Sequence, residues 1–380
     1  MKQKIKLSDL WNWCKKEAVL SIAFLLAIIS AFIVHPDKEY IGYIDFRTLA
    51  ILFCLMAVMA GLQQIGLFNY VAEKLLQKVK KIRGLIFILI MLCFVSSMLI
   101  TNDVALITFV PFTFIVLKMI LQEKAEKVIV PVVVMQTIAA NLGSMLTPIG
   151  NPQNLYLYGK ASMSFGEFIR FMLPYTVIAF FILTVWTVLF PYKGEKRIKV
   201  QMQQNTSISA YKRKLMMYGI LFAICLLTVA HIIPYEATLL IVLTVVFFVD
   251  KKVLGEVDYA LLFTFVGFFI FIGNMGRVDA FQAFIQKVIV GNEIMTSVVE
   301  SQFMSNVPAA LLLSGFTERY DLLIIGTNLG GLGTIIASMA SLISFKYIGK
   351  EYKHLRGKYL LYFTIANIAF LLLLLIYVYR

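Results

Sequence analysis

The stretch NLGSMLTPIG at residues 141–150 aligns without a gap on NLGGLGTIIA at residues 328–337, and Asn, Leu, Gly, Thr and Ile recur at matching places. Both stretches lie inside apolar runs, and their Gly and Pro residues disfavour a continuous helix. Irregular backbone at membrane depth is tolerated only where it is buried in protein or lines a cavity. We therefore predict two broken transmembrane helices, at residues 128–158 and 322–345.

An interrupted apolar run precedes each of these stretches. The run 84–117 contains Thr-Asn-Asp at residues 101–103, and the run 294–316 contains Ser-Asn-Val-Pro at residues 305–308. Arms of about 10–18 residues on either side of the interruption can reach the middle of a bilayer and return. Both runs are predicted to be re-entrant helical hairpins with polar tips, although two short full spans would give the same loop topology.

The composition of the 380-residue chain is typical of a polytopic membrane protein. Hydrophobic residues make up 60% and charged residues 15%, whereas soluble domains have about 45–50% and about 25%. The net charge of +14 would suggest nucleic-acid binding in a soluble protein, but basic residues also collect in the cytoplasmic loops of membrane proteins. The isolated cysteines predict core positions rather than metal ligands or a disulfide set; they are Cys14, Cys54, Cys93 and Cys225.

The distribution of Lys and Arg predicts the orientation. If the N-terminus is cytoplasmic and both hairpins return to the side that they left, the cytoplasmic segments hold 27 of the 35 basic residues and the outside segments hold 8. This satisfies the positive-inside rule, so topology explains the charge and no nucleic-acid partner is predicted. We expect a multi-pass protein of the cytoplasmic membrane with its C-terminus outside and residues 276–293 in an outside segment.

The order helix, hairpin, broken helix and helix occurs twice, and the number of spans between the copies makes them inverted. The predicted architecture is all-α, with an amphipathic N-terminal segment at 1–17, a first repeat at 18–190, a basic linker and connecting helix at 191–236, and a second repeat at 237–380. Inverted repeats with interrupted helices at matching positions are typical of secondary transporters that bind substrate near the bilayer midplane.

The hairpin tips and helix breaks are the predicted binding site. Unwound backbone frees carbonyl oxygens that suit Na⁺ and exposes helix N-termini that suit an anion. Small and polar residues also join transmembrane helices to one another, but the coincidence of four such clusters favours a binding site. The candidates at the tips are Thr101, Asn102, Asp103, Ser305 and Asn306, and those expected to unwind the helices include Gly143, Gly150 and Gly330.

Acidic residues inside the apolar runs are few. Asp103 lies at a hairpin tip, where a carboxylate is costly unless it meets a cation, a proton or water, so it could bind Na⁺ or carry a proton. Glu300 could lie at membrane depth or could be solvated at the outer end of its arm. The sequence contains no P-loop, hydrolase triad order or metal-ligand spacing, so we predict neither an enzyme nor a cofactor. Transport would draw on an ion gradient or on the gradient of the substrate itself.

These motifs resemble the ion transporter superfamily, specifically its citrate-transporter-like members, which include divalent anion:sodium symporters and arsenite permeases. The resemblance rests on TNDVAL at 101–106, NLGSMLTPIGNPQN at 141–154 and SNVPAA at 305–310, and it covers residues 18–379. It implies two hairpins set against two broken helices from opposite sides, Na⁺ and an anion bound at the tips, a homodimer, and elevator motion of the hairpin domain.

By that likeness, the tips and the two breaks would form the ion and substrate sites. The possible Na⁺ ligands would be Asn102, Asp103, Ser305 and Asn306. The further residues implied for the site are Asn141, Thr147, Asn151, Asn154, Val307, Thr327, Asn328 and Thr334.

The tips depart from those of the dicarboxylate symporters, which carry Ser-Asn-Thr at both. Here Asp103 puts a carboxylate, and Val307 an isopropyl group, where those symporters have a hydroxyl. The Asn-Asp pair looks more like the arsenite permease and Na⁺/H⁺ antiporter branches, although Ser305 stands where those branches often have Asp or Asn. We predict a secondary transporter of a small anion, either citrate- or dicarboxylate-like or an inorganic oxyanion, coupled to Na⁺ or H⁺. The alternatives are arsenite or antimonite efflux, Na⁺/H⁺ antiport and, less in keeping with confined polarity, a channel.

Overall fold

The computed structural model describes residues 17–77, 79–190 and 211–380, and this part of the chain is helical, without a β-strand. Nearly all of the predicted amphipathic segment 1–17, and residues 191–210 of the predicted basic linker, lie outside the described residues. The helices are α1 (Ala18–Ile33), α2 (Glu39–Tyr43), α3 (Phe46–Gln64), α4 (Leu67–Leu76), α5 (Ile82–Ser96), α6 (Asn102–Leu121), α7 (Glu126–Ser144), α8 (Pro152–Lys160), α9 (Phe165–Leu189), α10 (Lys212–Val229), α11 (Tyr235–Asp250), α12 (Tyr259–Met275), α13 (Asp279–Ile289), α14 (Glu293–Met304), α15 (Asn306–Ser314), α16 (Tyr320–Gly330), α17 (Met339–Glu351) and α18 (Arg356–Val378).

Several helices are long and apolar enough to cross a membrane. Within the described ranges these segments are Phe46–Gln64, Asn102–Ser144, Phe165–Leu189 and Lys353–Val378, and a fifth candidate is the pair α12 and α13, which is bent by 106°. Large apolar side chains point away from the protein, as Phe32 (79% exposed) and Phe248 (80% exposed) do. Such exposure suits a lipid environment, because lipid tails are as apolar as the side chains. The prediction of an all-helical, multi-pass membrane protein is confirmed.

The long apolar segment 102–144 is two helices rather than one. Gln122 ends α6 with a φ of 51°, a short 3₁₀ turn follows, and α7 packs back against α6. A single 43-residue helix would be about 65 Å long at 1.5 Å per residue, well beyond the thickness of a bilayer. The reversal therefore brings the end of α7 back to the level at which α6 begins.

Two pairs of helices turn sharply at the predicted polar tips. The helices α5 and α6 pack against each other on either side of residues 97–101, and α14 and α15 do so on either side of Ser305. Ser305 has φ 77° and ψ 153°, a conformation that favours glycine and strains a residue with a side chain. The second tip thus reverses the chain at one strained residue, whereas the first uses five.

The two predicted helix breaks lie between α7 and α8 and between α16 and α17. The first gap extends over residues 145–151 and the second over residues 331–338. Gly333 has a φ of 108°, a conformation that side-chain-bearing residues rarely adopt. The backbone of the second break therefore depends on this glycine.

Gly143 and Gly330 do not unwind their helices, contrary to expectation. Both lie in the last turn of a helix, and the irregular backbone begins after them. A Cβ atom added to Gly143 would lie 2.6 Å from Ser97 Oγ, and one added to Gly330 would lie 2.6 Å from Ser301 Oγ. These two glycines instead allow a hairpin arm to approach a broken helix closely.

The remaining helices surround this centre. The helix α12 packs against α1, and α3 packs against α11. Residues 276–293, which we counted only as an outside segment, contain the short helix α13, whose sequence DAFQAFIQKVI places Phe284 and Val288 on an exposed face. A helix with apolar residues on one face and polar residues on the other suits the membrane interface.

Candidate substrate and ion site

The first hairpin tip is tied to the first helix break. The backbone N–H of Asn102 donates to the carbonyl oxygen of Gly150 at 3.2 Å. Its side-chain Nδ2 donates to Asn141 Oδ1 at 2.9 Å, and its Oδ1 accepts from the N–H of Asp103 at 3.0 Å. Asn102 therefore has every side-chain group engaged in holding the tip.

The second tip is tied to the second break in the same manner. The backbone N–H of Asn306 donates to the carbonyl oxygen of Ala337 at 3.0 Å. Ala337 and Gly150 occupy the last positions of the two aligned stretches. The side chain of Asn306 lies against Gly331, where an added Cβ would be 2.9 Å from Nδ2. Each tip asparagine therefore meets the same position of its own break.

The two candidate threonines also make matching bonds. Thr147 Oγ1 donates to the carbonyl oxygen of Met98, and Thr334 Oγ1 donates to that of Gln302 at 3.2 Å. Met98 and Gln302 each lie four residues before the tip asparagine. Both threonines position a hairpin arm, since their hydroxyl hydrogens point to the backbone of that arm.

Side chains of the two breaks are bonded directly to each other. Ser338 Oγ donates to Asn141 Oδ1 at 3.0 Å, and Asn151 Nδ2 donates to Asn328 Oδ1 at 3.4 Å. Asn328 Nδ2 donates in turn to Asn154 Oδ1 at 2.6 Å. Ser338 follows Asn328 by ten residues, just as Asn151 follows Asn141. Extending the sequence alignment by one residue would have identified Ser338, which the sequence analysis missed.

A small polar cavity, here called the inner chamber, lies between the two tips. Its volume is about 10 Å³, which is room for about one water molecule. The residues predicted from the sequence that line it are Asn102, Asp103, Asn151, Asn306 and Val307. The other residues that line the inner chamber are Pro152, Gln153, Leu261, Ser338 and Met339.

Several buried polar atoms around the inner chamber lack hydrogen-bond partners in the part of the chain that the structure describes. They are Asp103 Oδ1, Asn151 Oδ1 and both amide atoms of Gln153. The Gln153 side chain is fully buried and Asn151 is 3% exposed. Leaving such groups unpaired is costly, so each calls for an explanation such as an ion, a water molecule or a ligand. Gln153 was not among the predicted residues, although it follows Pro152 in the break.

Four helix N-termini converge on the inner chamber. The helices α6, α8, α15 and α17 each contribute their first residues to its wall, and none of the four has a side-chain hydrogen bond at its N-cap. The N-cap side chains of Asn151 and Ser338 could cap their helices, but they bond across the breaks instead. The first N–H groups of a helix have no partner inside it. Those of Asn102, Asp103 and Asn306 are bonded to other parts of the site, so these ends offer an anion their dipoles and the remaining first-turn N–H groups.

A larger cavity, here called the vestibule, adjoins the inner chamber. It has a volume of about 480 Å³, and Asp103, Pro152 and Leu261 line both cavities. Its wall is mostly apolar, and no Lys, Arg or His of the described chain contributes to it. The polar residues that line the vestibule are Gln63, Gln64, Thr101, Asp103, Glu256 and Asp258.

The remaining candidates lie outside both cavities. Thr327 Oγ1 donates to the carbonyl oxygen of Leu323 in its own helix. Glu300 lines neither cavity. Among the other predicted residues that line neither cavity are Asn141, Gly143, Asn154, Asn328, Gly330 and Thr334. Over the described residues there is no group of three or more His, Cys, Asp or Glu side chains that could hold a metal ion. Of the residues that line the inner chamber, Asp103, Asn151 and Gln153 have buried polar atoms without a partner among the described residues.

Comparison with known proteins gives the family. Residues 10–318 match the family described as citrate transporter. The chain is 31% identical over 360 residues to an uncharacterized transporter of Methanocaldococcus jannaschii. The aligned residues make up 94% of this chain and 95% of the relative. The Escherichia coli inner membrane protein YbiR is 30% identical over 325 residues, 84% of each chain. The silicon efflux transporter LSI3 of Oryza sativa is 30% identical over 159 residues, 41% of this chain and 30% of LSI3. The chain belongs to the citrate transporter family and is a membrane transporter of this type.

Proposed function

We propose that this protein is a secondary active transporter that carries a small anion across the cytoplasmic membrane, driven by a gradient of Na⁺ or H⁺. The observation that carries the proposal is the convergence of four uncapped helix N-termini on the inner chamber. Each free helix N-terminus is equivalent to roughly +0.5 elementary charge, and the bonds already made by the N–H groups of Asn102, Asp103 and Asn306 reduce this potential. Asp103 offsets part of this potential, and the remainder favours an anion.

Gln153 adds a side-chain hydrogen-bond donor to the wall of the inner chamber. Its Nε2 is buried and unpartnered at the chamber wall, so an anionic oxygen there would gain a hydrogen bond while relieving an unpaired donor. The volume of about 10 Å³ is too small for a citrate-sized molecule. A substrate of that size would therefore extend into the vestibule, and an inorganic oxyanion, with several oxygens, would also require the chamber to widen.

Two inverted repeats, at 18–190 and 237–380, are part of the proposal. Supporting observations are the matched bonds of Asn102 and Asn306 and those of Thr147 and Thr334, which fall at aligned positions. We propose that hairpins and broken helices move together as one body against the surrounding helices, as in an elevator, and that the transporter is a homodimer. The vestibule lies between these two groups of helices and borders residues 256–258, which the charge distribution assigns to the cytoplasmic side.

The alternative function is efflux of an arsenite-like species or exchange of cations, and one observation favours it. The vestibule carries three carboxylates, on Asp103, Glu256 and Asp258, and no basic side chain from the described residues. Such a wall repels anions and attracts cations. The relative LSI3 is named as a silicon efflux transporter. A transporter of this kind would show ion exchange without accumulation of citrate, sulfate or phosphate.

Uptake into proteoliposomes tests the proposal. Purified protein is reconstituted, and uptake of radiolabelled citrate, sulfate and phosphate is followed under an inward Na⁺ gradient and, separately, an inward H⁺ gradient. We expect accumulation of at least one anion. We expect Asn306→Ala to abolish it without unfolding the protein, since within the described residues the Asn306 side chain has only one weak bond, from Ser305 Oγ at 3.5 Å.

Asn367→Ala is the matched control. Asn367 is also buried and lines neither cavity; its Nδ2 donates to the carbonyl oxygen of Phe363 at 2.8 Å in α18, and its Oδ1 has no partner among the described residues. We expect this variant to transport normally. Normal uptake by Asn306→Ala would remove the second tip from the mechanism, and the absence of any anion uptake by the unaltered protein would refute the proposed function.

A further inference from the structure

The connection between α17 and α18, here called the basic turn, is residues 346–358. It holds five Lys or Arg side chains against one acidic residue, Glu351. All five basic side chains are exposed; they are Lys346, Lys350, Lys353, Arg356 and Lys358. Within the described residues, the only ion pair of the basic turn joins His354 to Glu126 at 3.2 Å. The five cations therefore have no carboxylate partner in the part of the chain that the structure describes.

Packing contacts hold the basic turn in place. Tyr352 is buried, its ring meets the edge of the Phe114 ring at a centroid distance of 5.2 Å, and Lys118 Nζ lies 5.0 Å from its centroid. Arg356 lies against Gly349 in the last turn of α17, where an added Cβ would be 2.6 Å from Arg356 Nε. A cation at the C-terminus of a helix is favourable. These contacts fix the positive charges at the ends of α6 and α17.

An apolar ridge on α18 begins directly beside the basic turn. Its members are Leu361, Ile365, Ile368, Leu372 and Ile376, which are 45% to 68% exposed. Their spacing of three or four residues places them on one face of the helix, and Lys358, three residues before Leu361, shares that face. At 1.5 Å per residue the ridge is about 22 Å long, which exceeds the hydrocarbon thickness of one leaflet, about 15 Å. A lipid with its headgroup at the basic turn can therefore lay an acyl chain along the ridge.

We propose that the basic turn and the apolar ridge together bind an anionic phospholipid of the cytoplasmic leaflet. Its phosphate lies at Lys353, Arg356 and Lys358, and one acyl chain follows the ridge. The charge distribution assigns residues 346–358 to the cytoplasmic side, where clusters of Lys and Arg next to a transmembrane helix attract anionic lipids. The Arg356 guanidinium suits a phosphate because it can donate two parallel hydrogen bonds. This lipid site does not depend on which substrate the protein carries.

The combination of charge and ridge favours a lipid over two other occupants. A free phosphate ion would use the basic turn alone and would gain nothing from the ridge. A second copy of the chain could cover the ridge. However, two ridges packed about a two-fold axis normal to the membrane would bring the two basic turns to the same depth, where their unpaired positive charges repel each other. A single anionic lipid satisfies both the charges and the apolar surface.

Binding of defined lipids tests the inference. The purified, delipidated protein is mixed with dioleoylphosphatidylglycerol, with dioleoylphosphatidylcholine or with glycerophosphate, and both thermal unfolding and lipid retention in native mass spectrometry are measured. A ligand that binds only the folded state raises the melting temperature. We expect phosphatidylglycerol to be retained and to raise the melting temperature by several degrees, and the other two to do neither. Equal effects of phosphatidylcholine would refute the recognition of charge, and equal effects of glycerophosphate would reassign the basic turn to a free phosphate.

Charge removal at the basic turn has a matched control at the start of α5. The double variant Lys353→Gln, Lys358→Gln removes two charges and leaves Arg356 in its packed position. The control Lys80→Gln, Arg83→Gln removes two exposed charges that are also assigned to the cytoplasmic side, but most of α5 is buried and offers no ridge. We expect the first variant to lower phosphatidylglycerol retention and the melting-temperature shift severalfold, and the control to keep both. Equal losses in the two variants would show that bulk charge, rather than this site, attracts the lipid.

The ridge is tested separately by Leu361→Ser combined with Ile365→Ser. Both side chains are more than 60% exposed, so the melting temperature without lipid should stay close to that of the unaltered protein. We expect phosphatidylglycerol retention to fall severalfold while the oligomeric state, measured by size-exclusion chromatography with light scattering, is unchanged. Unchanged retention would refute the lipid site. Dissociation of an oligomer into monomers would also overturn it, because a second copy of the chain would then be the occupant of the ridge.

Discussion

Alanine at Gly143 and at Gly330 should destabilise the protein through close contacts that differ in kind. At Gly330 the nearest atoms to an added Cβ belong to the side chain of Ser301, with Oγ at 2.6 Å and Cβ at 2.9 Å. At Gly143 the nearest atom is the backbone carbonyl oxygen of Phe94, followed by Ser97 Oγ at 2.6 Å. Overpacking of this sort costs about 1–3 kcal/mol and occasionally more. We expect Gly330→Ala within that range and Gly143→Ala at its upper end or above.

A matched control is available in α10. Gly219 is also a helical glycine, but no atom of the described residues lies within 4 Å of an added Cβ. Replacing a mid-helix glycine by alanine in open space stabilises by about 0.5–1 kcal/mol, so Gly219→Ala should raise the melting temperature. The measurement is thermal unfolding of the purified variants in one detergent, followed by circular dichroism.

Relief of the contact distinguishes the two sites. Ser301→Gly removes both side-chain atoms that crowd position 330, so the double variant should be less destabilised than the sum of the two single variants, by about 1 kcal/mol. Ser97→Gly should not rescue Gly143→Ala, because the Phe94 carbonyl remains. Equal stability of Gly143→Ala and Gly219→Ala, or strict additivity at 301 and 330, would refute the close packing of hairpin arms on broken helices.

Two further predictions concern the chamber and the ion pair between Asp37 and Arg277. Gln153→Leu should leave the melting temperature unchanged or raise it, because it removes two unpaired buried amide atoms, and anion exchange in proteoliposomes should fall tenfold or more. The control Gln136→Leu breaks a 2.8 Å bond to Thr113 and should instead lower the melting temperature. Full activity of Gln153→Leu would contradict the role of Gln153 in the chamber. The hydrogen bond from Arg277 at 2.6 Å lowers the pKa of Asp37 below its ordinary value, so the stability that this pair adds is complete above about pH 4 and is lost as the pH falls through the lowered pKa. Asp37→Asn should therefore unfold at a lower temperature than the unaltered protein at pH 7 and approach it in acid, and a difference that stays constant with pH would oppose this assignment.

The amino-acid sequence predicts the broad architecture well, because long apolar runs and their interruptions are local features. The polar interruptions at 101–103 and 305–308 fall where hairpin arms meet, and the gaps at 145–151 and 331–338 fall inside the two predicted broken helices, 128–158 and 322–345. The role of Gly143 could not be read in the same way, since glycine marks both an unwound helix and a close helix contact. Only the position of Ser97 across the interface decides between them.

Part of the candidate site depends on contacts that are distant in the chain. Asp103 shares the vestibule with Glu256 and Asp258, more than 150 residues later, and no pattern around either segment signals that meeting. Gln153 was overlooked for a different reason. A glutamine after a proline is ordinary at a helix start, and it becomes informative only when burial leaves both of its amide atoms unpaired.

For an anionic substrate, the acidic vestibule opposes entry into the anion-attracting chamber unless a carboxylate is neutralised. An anion that approached through three ionised carboxylates would meet a barrier at each, and a chamber holding an ionised Asp103 would bind it weakly. Protonation of Asp103 removes the innermost of these charges and leaves the four helix N-termini unopposed. Low pH on the vestibule side should therefore raise the affinity for the anion on that side, whereas in Asp103→Asn the affinity should be high and nearly independent of pH. An affinity that depends equally on pH in both proteins would place the titrating group elsewhere.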